Sequence, residues 1–226
     1  MDTRKPLGVA EVVGVVLAGG RSRRFGVDKA RVEVGGEPLV VRTVRVLAEV
    51  LGEVVVVGDV TLRELWPERS GAAGAPGPVP DSAPDFTPSF MDDPREGPLG
   101  AVIAAWRRCL RPLVVLACDL PLMDRETVAR LARPTDGARV PEVSLGEDGP
   151  RRQWLAAHYG AESLHLMATL WDNGERSIGR AALAAEERGG LVLEGAGEPW
   201  EAGAFADADT PDALARLLEQ SSVSRR

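Results

Sequence analysis

The stretch EVVGVVLAGGRSRRFGVDKA, residues 11–30, decides the fold of this chain. It begins with a short apolar run from Val12 to Leu17, which is typical of a fully buried strand. Gly19 and Gly20 follow, and two glycines after a buried strand predict a tight loop. The stretch therefore predicts a core strand that delivers a glycine loop to one edge of a sheet.

The neighbouring segments alternate between strands and helices. Further buried strands are predicted at 54–57 and 113–117. Helices are predicted from apolar spacing and end signals at 38–51, 99–110 and 125–133. This alternation is typical of a parallel sheet with helices on both faces. We therefore expect an α/β protein, namely a Rossmann-like three-layer αβα sandwich with a mostly parallel sheet.

The second half of the chain is less regular. It predicts a strand at 151–159, helices at 163–171 and 177–187, a short strand at 191–194, a helix at 210–218 and a frayed tail at 221–226. The Gly- and Pro-rich segment 70–90 predicts a surface loop with a short strand near 86–91. We expect one domain over 1–226, with a nucleotide-binding half at about 10–135 and an acceptor-binding half at about 136–219.

Composition excludes several classes of protein. The 27 basic and 34 acidic side chains give a net charge of −7, which disfavours non-specific binding of nucleic acid. No apolar run reaches the roughly 18 residues that span a membrane. Two cysteines, Cys109 and Cys118, cannot build a disulfide scaffold or a four-ligand zinc site. The first residues lack the pattern of a signal peptide, so we expect a cytoplasmic protein without a membrane partner.

The glycine loop carries the strongest chemical pattern. It is followed by the cations Arg21, Arg23, Arg24 and Lys29. Backbone N–H groups of glycines approach phosphate oxygens closely, so the loop predicts a polyphosphate site. The spacing fits neither a P-loop nor a dinucleotide fingerprint. A solvated basic turn is the alternative.

A carboxylate follows another buried strand. Asp119 comes directly after the run 113–117, at the edge where open parallel sheets bind ligands. Mg²⁺ is held by one or two carboxylates together with substrate phosphates, so Asp119 is a candidate magnesium ligand. Asp207 and Asp209 are candidates for a second ligand. The alternatives are that Asp119 and Asp209 cap helices.

Other polar residues leave their roles open. Asp92 and Asp93 precede a Gly-Pro helix start and either contact a ribose or base or stabilise a turn. His158 and His165 are expected to be structural. The side chains that could contact an acceptor are Arg151, Arg152, Arg176 and Arg180, with Trp154, Trp171 and Trp200, although surface arginines and core tryptophans would look the same.

These patterns together resemble one family. The stretch LAGGRSRRFGVDKA is similar to the motif L-A-G-G-x-x-x-R-M-G-x-D-K of the molybdenum cofactor guanylyltransferases, with Phe25 at the Met position. The resemblance continues in family order through EVVVVGD, MDDPREGPLGAV, VVLACDLP, RRQWLAAHY, NGERSIGR and DADTP. It implies the nucleotide-diphospho-sugar transferase type of fold. It also implies transfer of GMP from GTP to the phosphate of molybdenum-bound molybdopterin, with Mg²⁺ and release of pyrophosphate.

The resemblance also implies roles for particular residues. The nucleotide would be held by Leu17, Ala18, Gly19, Gly20, Lys29, Asp93 and Asp119. Catalysis would use Arg24, Lys29 and Asp119, and the metal would lie on Asp119 and Asp209. Contact with molybdoenzymes that receive the product is a further implication.

The chain departs from the family pattern at three places. Residues 67–88 form a longer Pro-rich stretch than the pattern needs. Gly58 and Asp59 stand where the family often has an Asn, and D-A-D-T-P replaces N-x-N-T-P near the end. A CTP-using or other nucleotidyltransferase therefore stays an alternative, as does a carrier that binds nucleotide or cofactor without catalysis.

Overall fold

The structure is a computed structural model that describes residues 11–19, 28–66, 86–135, 137–145, 149–187, 193–194, 200–208 and 210–224. Its strands are β1 Val13–Leu17, β2 Glu33–Val34, β3 Glu37–Pro38, β4 Val54–Gly58, β5 Ser89–Asp92, β6 Leu113–Ala117, β7 Ala138–Arg139, β8 Glu142–Ser144, β9 Pro150–Arg152, β10 Ala156–Tyr159 and β11 Leu193–Glu194. Its helices are α1 Leu39–Ala48, α2 Pro98–Cys109, α3 Arg125–Leu131, α4 Ala161–Asp172, α5 Ile178–Glu187 and α6 Pro211–Ser224.

A seven-stranded sheet forms the centre, in the order β11-β7-β10-β6-β1-β4-β5. Strands β6, β1, β4 and β5 are parallel to their neighbours in this group, whereas β10 is antiparallel to both β6 and β7. The short strands β2 and β3 form a separate hairpin, as do β8 and β9. The expected α/β fold with a mostly parallel sheet is confirmed.

Alternate residues of the central strands supply the two faces of the sheet. Val16 and Val56 pack in a buried cluster with side chains of α1 and α3. Val15 and Val55 point the other way, into a cluster with α2, α4 and α5. Side chains of successive strand residues point to opposite faces, so strands buried on both sides consist of continuous apolar runs. Helices therefore cover both faces and complete the three-layer sandwich.

Local signals set the helix starts. The carboxylate of Asp124 accepts from the N–H of Thr127 at 2.7 Å, which caps α3 as predicted. The hydroxyl of Thr210 accepts from the N–H of Ala213 at 3.1 Å and caps α6. Asp209, the other candidate cap, lies outside the described residues. In the part of the chain that the structure describes, no helix has the length and apolar character needed to cross a membrane.

The strand predicted at 151–159 is confirmed at both ends but is divided into two strands. Residues Pro150–Arg152 pair with β8 outside the main sheet, and only Ala156–Tyr159 joins that sheet. Between them the N–H of Ala156 donates to the carbonyl of Gln153 at 3.0 Å, which closes a turn. The segment carries neither Gly nor Pro at this turn, so its composition hides the break.

The predicted fraying of the tail at 221–226 is wrong up to Ser224, where α6 ends. Leu214 of this helix belongs to a small buried cluster with Val34, Leu39 and Ala208. Packing of an apolar helix face supplies most of a helix's stability in a protein. That packing explains why α6 forms.

Candidate active site

The carboxyl ends of the parallel strands lie at one edge of the sheet. After β1, the N–H of Ala18 donates to the carbonyl of Val57 at 2.8 Å. On the other side, the N–H of Cys118 donates to the carbonyl of Leu17 at 3.2 Å. The start of the glycine loop therefore leaves the sheet between the ends of β4 and β6, which is where open α/β sheets bind ligands.

Lys29 and Asp119 meet at this edge. The Lys29 ammonium donates to Oδ2 of Asp119 at 2.9 Å, although the two residues are 90 positions apart. The side chains are only 11% and 26% exposed, respectively. Lys29 and Asp119, which two different sequence motifs predicted as site residues, therefore belong to one partly buried site.

A short 3-10 turn, Lys29–Arg31, fixes the backbone of Lys29. Asp28 caps this turn, because its carboxylate accepts from the N–H of Ala30 at 3.1 Å. The N–H of Val32 then donates to the carbonyl of Lys29 at 3.2 Å. Asp28 thus sets the position of its neighbour Lys29.

The C-terminal segment contacts Asp119 from another direction. The N–H of Ala208 donates to the carbonyl of Asp119 at 3.0 Å. This places the exposed Asp207, a candidate second ligand, in the segment next to Asp119. Leu214 packs against Val34 in the hairpin that follows Lys29. The C-terminal segment therefore connects the backbone regions that carry Asp119 and Lys29.

Gly19 lies against the carboxylate of Asp93. A Cβ built on Gly19 would overlap that carboxylate, so the close approach requires glycine here. The N–H of Asp93 donates to the carbonyl of Gly58 at 3.1 Å, and its Oδ1 accepts from the N–H of Arg95 at 2.9 Å. Asp93 thus stabilises a turn, which is one of the two roles that the sequence left open. It also faces the glycine loop.

The departure at Gly58 and Asp59 has a structural explanation. A Cβ on Gly58 would lie 3.1 Å from both the Cβ and the carbonyl oxygen of Ala18. The carboxylate of Asp59 accepts from the N–H of Thr61 at 2.9 Å, and this bond holds the pKa of Asp59 below its usual value. Asp59 caps the following 3-10 helix, Val60–Leu65, and Gly58 packs closely on the start of the glycine loop.

Cys118 is buried beside this site. Burial is the main cause that raises the pKa of its thiol to about 12, and the neighbouring Asp119 carboxylate adds to the effect. The thiol is therefore protonated at neutral pH, and thiols in that form are poor nucleophiles and poor metal ligands.

Both histidines contact backbone carbonyls. Nδ1 of the buried His158 lies 2.8 Å from the oxygen of Leu131. Nδ1 of His165 lies 2.9 Å from the oxygen of Ala161, and its ring packs edge-on against Trp106. These contacts agree with the structural roles expected for both residues.

The arginines of the second half contact groups of their own chain. Arg152 forms ion pairs with Glu142 at 3.5 Å and Glu186 at 3.7 Å. Arg180 binds Glu175 at 3.0 Å, and this bond is the largest of the causes that lower the pKa of Glu175 to about 2. The remaining candidate, Arg151, is exposed on β9.

The predicted tryptophans also make internal contacts. The Arg176 guanidinium stacks 4.0 Å above the ring of Trp171. Trp154 packs so closely on Gly179 that a Cβ there would lie 2.9 Å from its Nε1. Trp200 packs edge-on against Phe205. These contacts account for the packing of all three rings without an acceptor.

Several predicted site residues, namely Gly20, Arg21, Arg23, Arg24 and Asp209, lie outside the described residues. Sequence reasoning missed Ala208, which acts through its backbone N–H. It also missed the contact between Gly19 and Asp93. Neither interaction has a signal in the sequence, because each joins segments that are far apart along the chain.

The donor set at Asp119 suits Mg²⁺. Within the described ranges, no group of three or more His, Cys, Asp or Glu side chains is arranged to hold a metal. Mg²⁺ needs only one or two carboxylates when substrate phosphates and water complete its six ligands. Asp119, with the neighbouring segment that carries Asp207, meets that requirement.

The fold is shared with solved structures of other proteins. The structure aligns with that of molybdopterin-guanine dinucleotide biosynthesis protein A from Archaeoglobus fulgidus, with a TM-score of 0.61 over 93% of this chain and 98% of that one, at 24% identity. The chain thus has the fold of the nucleotide-diphospho-sugar transferases.

The sequence places the chain within that class. Residues 14–223 match the family of the MobA-like NTP transferase domain, and the chain belongs to this family of nucleotidyltransferases. It is 32% identical to the molybdenum cofactor guanylyltransferase of Cupriavidus taiwanensis, over 90% of this chain and 94% of that protein. It is 33% identical to a probable molybdenum cofactor guanylyltransferase of Pelotomaculum thermopropionicum, over 66% of this chain and 63% of that protein.

Proposed function

We propose that this enzyme transfers GMP from GTP to the terminal phosphate of molybdenum-bound molybdopterin and releases pyrophosphate. The observation that carries the proposal is the contact between Lys29 and Asp119 at the carboxyl edge of the sheet. The names of the relatives support GTP and molybdopterin as the substrates. The nucleotide-binding half at about 10–135 and the acceptor-binding half at about 136–219 are part of this proposal.

The start of the glycine loop binds the triphosphate. Leu17 and Ala18 direct the backbone out of the sheet, and the N–H groups of Gly19 and Gly20 are the proposed donors to phosphate oxygens. Glycine allows this approach because it has no side chain between its N–H and the ligand. Asp93, whose carboxylate faces Gly19, is the proposed acceptor of a hydrogen bond from the nucleoside.

Charge neutralisation is the main catalytic task of the chain. The Lys29 ammonium, together with Arg24, stabilises the charge that grows on the departing pyrophosphate. Asp119 and Asp209 would hold Mg²⁺, and the ion would neutralise part of the negative charge of the phosphates.

The acceptor needs alignment rather than deprotonation. A phosphate monoester has its second pKa near ~6, so it is largely dianionic at pH 7. One of its oxygens attacks the α-phosphorus of GTP in line with the leaving pyrophosphate. A P–O bond forms to the acceptor as the bond to the β-phosphate breaks, with no covalent enzyme intermediate. Neither histidine is required as a base.

The acceptor site is assigned to the second half of the chain. Arg151, Arg152, Arg176 and Arg180 are the proposed contacts to the pterin phosphate, since guanidinium groups bind phosphate oxygens in pairs. The ion pairs that Arg152 and Arg180 form with glutamates would then be exchanged for contacts to phosphate. A cytoplasmic reaction and transient contact with molybdoenzymes complete the proposal.

A nucleotide panel tests the function. Purified protein is mixed with Mg²⁺, molybdenum-bound molybdopterin and each of GTP, CTP, ATP and UTP, and release of pyrophosphate is measured. We expect release of pyrophosphate with GTP and not with the other three triphosphates. We expect no release when the acceptor is left out. Release with CTP instead would establish the related cytidylyl transfer. Binding of nucleotide without any release would indicate a carrier and contradict the proposal.

Thermal unfolding provides a second readout of the same panel. A ligand that binds only the folded state raises the melting temperature according to its affinity. With Mg²⁺ present and no acceptor, GTP should raise the melting temperature more than the other three triphosphates. Asp119→Asn serves as the matched control, since it removes the charge with little change in shape and should remove most of this shift.

A further inference from the structure

We infer that Lys29 keeps Asp119 from taking up a metal ion until a nucleoside triphosphate arrives, so that metal and nucleotide enter the site together. This inference rests on the proposed function, because it concerns how the same site is loaded. It follows from the direct contact between the two side chains.

The contact opposes metal binding at the carboxylate by charge. The Lys29 ammonium lies 2.9 Å from Oδ2 of Asp119. A Mg²⁺ ion binds a carboxylate oxygen at about 2.0–2.1 Å, so ion and ammonium would be close neighbours. Repulsion between like charges at such a distance is strong where water screens poorly. Ammonium and metal therefore compete for Asp119.

Burial makes the pair persistent. The Lys29 side chain is only 11% exposed, so water has little access to its charge. Moving the buried Lys29 ammonium away from Asp119 is costly unless the ammonium gains another anionic partner. A triphosphate supplies that partner, because it brings several negative oxygens to the same edge. The exchange is favourable only when nucleotide and metal arrive together.

The backbone on both sides of the contact is fixed, so the exchange needs only a side-chain movement. The Asp28-capped turn holds the backbone of Lys29. The hydrogen bond from Ala208 holds the backbone of Asp119. The flexible four-carbon stem of a lysine can redirect its ammonium while both backbones stay in place.

The size of the effect follows from the fraction of unpaired Asp119. The apparent dissociation constant for metal equals the intrinsic constant divided by the fraction of molecules that are competent to bind. If the carboxylate is unpaired in about a tenth of the molecules, metal alone binds about tenfold more weakly than to an unpaired site. Removal of the ammonium should therefore strengthen metal binding, whereas loss of a merely structural lysine should not.

The test measures binding of Mn²⁺ alone, as a paramagnetic substitute for Mg²⁺, by electron paramagnetic resonance of the free ion. Lys29→Met should bind Mn²⁺ at least about tenfold more tightly than the unaltered protein. Arg31→Met is the matched control, because Arg31 belongs to the same turn but contacts Thr61 instead of Asp119. The control should change Mn²⁺ binding much less. If Lys29→Met does not fold, Lys29→Gln gives the same readout.

Two further variants identify the position of the ion. Lys29→Arg keeps the positive charge and should stay as weak as the unaltered protein. The double variant Lys29→Met with Asp119→Asn should lose the gained affinity. A non-hydrolysable GTP analogue should strengthen Mn²⁺ binding in the unaltered protein and do so much less in Lys29→Met.

The inference is overturned if Lys29→Met binds Mn²⁺ no more tightly than the unaltered protein. It is also overturned if Arg31→Met gains as much, because the gain would then reflect overall charge. The arms with Mn²⁺ alone contain no nucleotide. They therefore stand independently of the nucleotide panel, whose failure would contradict the proposed function itself.

Discussion

Two ion pairs in this chain, one in each half, behave differently. Lys29 and Asp119 are joined at 2.9 Å across 90 sequence positions and are largely buried. Arg180 and Glu175 are joined at 3.0 Å within five positions, and the Arg180 side chain is 71% exposed. Both pairs are short, but only the first requires the completed fold.

The contrast indicates where the chain places its chemistry. A pair that is close in sequence and exposed forms easily and is screened by water. A buried pair carries a desolvation cost and is unfavourable unless its geometry is good. The proposed nucleotide half thus contains a costly contact at the edge of the sheet, whereas the pair of Arg180 and Glu175 in the proposed acceptor half is local, exposed and inexpensive.

The largest expected effect is on turnover. Asp119→Asn or Lys29→Ala should reduce the rate of pyrophosphate release about 10²–10³-fold, as expected when an electrostatic contact to the transition state is lost. Arg107→Ala is the control, because Arg107 forms an exposed ion pair with Asp172 on the helical face. Near-normal turnover in Asp119→Asn or Lys29→Ala would remove that residue from the proposed mechanism.

Stability should respond next most strongly at the C-terminal helix. Leu214→Ala empties part of the buried cluster that connects α6 to the hairpin after Lys29. We expect a loss of about 2–3 kcal/mol in the free energy of unfolding, as for other buried leucines. Urea unfolding measures it, with the more exposed Leu183→Ala as the control. Equal losses of stability in the two variants would show that the packing of α6 does not stabilise the sheet edge that carries Lys29 and Asp119.

A smaller effect is expected where the glycine loop begins. Gly19→Ala adds a Cβ that overlaps the Asp93 carboxylate. Overpacking costs about 1–3 kcal/mol, so the affinity for GTP should fall about tenfold or more in calorimetric titration. Gly52→Ala is the control, because a Cβ at Gly52 meets nothing within 4 Å. Unchanged affinity in Gly19→Ala would separate this contact from nucleotide binding.

The smallest effect belongs to the exposed pair. Hydrogen bonds from Arg180 and nearby N–H groups lower the pKa of Glu175 from 4.5 to about 2. A lowered pKa in the folded state stabilises the protein above the ordinary pKa, and this contribution is lost as the pH falls. The melting temperature of the unaltered protein should therefore exceed that of Glu175→Gln slightly at pH 7.

The difference between these two proteins should shrink between pH 4.5 and about 2. Melting curves recorded across that range measure it. A difference that stays constant across the range would mean that the charge of Glu175 does not contribute. High salt should reduce the difference at pH 7, because exposed charges are screened.

Much of the fold follows from local patterns. The strands at 13–17, 54–58 and 113–117 are continuous apolar runs because they are buried on both faces. The cap at Asp124 also depends only on its neighbours. In contrast, the division of residues 151–159 into two strands depends on pairing with other strands, which the sequence does not display.

The candidate site divides in the same way. Lys29 and Asp119 each stand in a recognisable motif, but their contact at 2.9 Å appears only in the folded chain. The hydrogen bond from Ala208 and the approach of Gly19 to Asp93 have no motif, because they arise from packing between segments. The residue types were therefore predictable, and the arrangement that links them was not.

A crystal structure of the protein with Mg²⁺ and a non-hydrolysable GTP analogue tests the central claim most directly. The account predicts that Lys29 Nζ lies within about 3.2 Å of a phosphate oxygen, and that the metal lies about 2.0–2.1 Å from an oxygen of Asp119. The analogue bound elsewhere, with the Lys29–Asp119 contact intact, would contradict it.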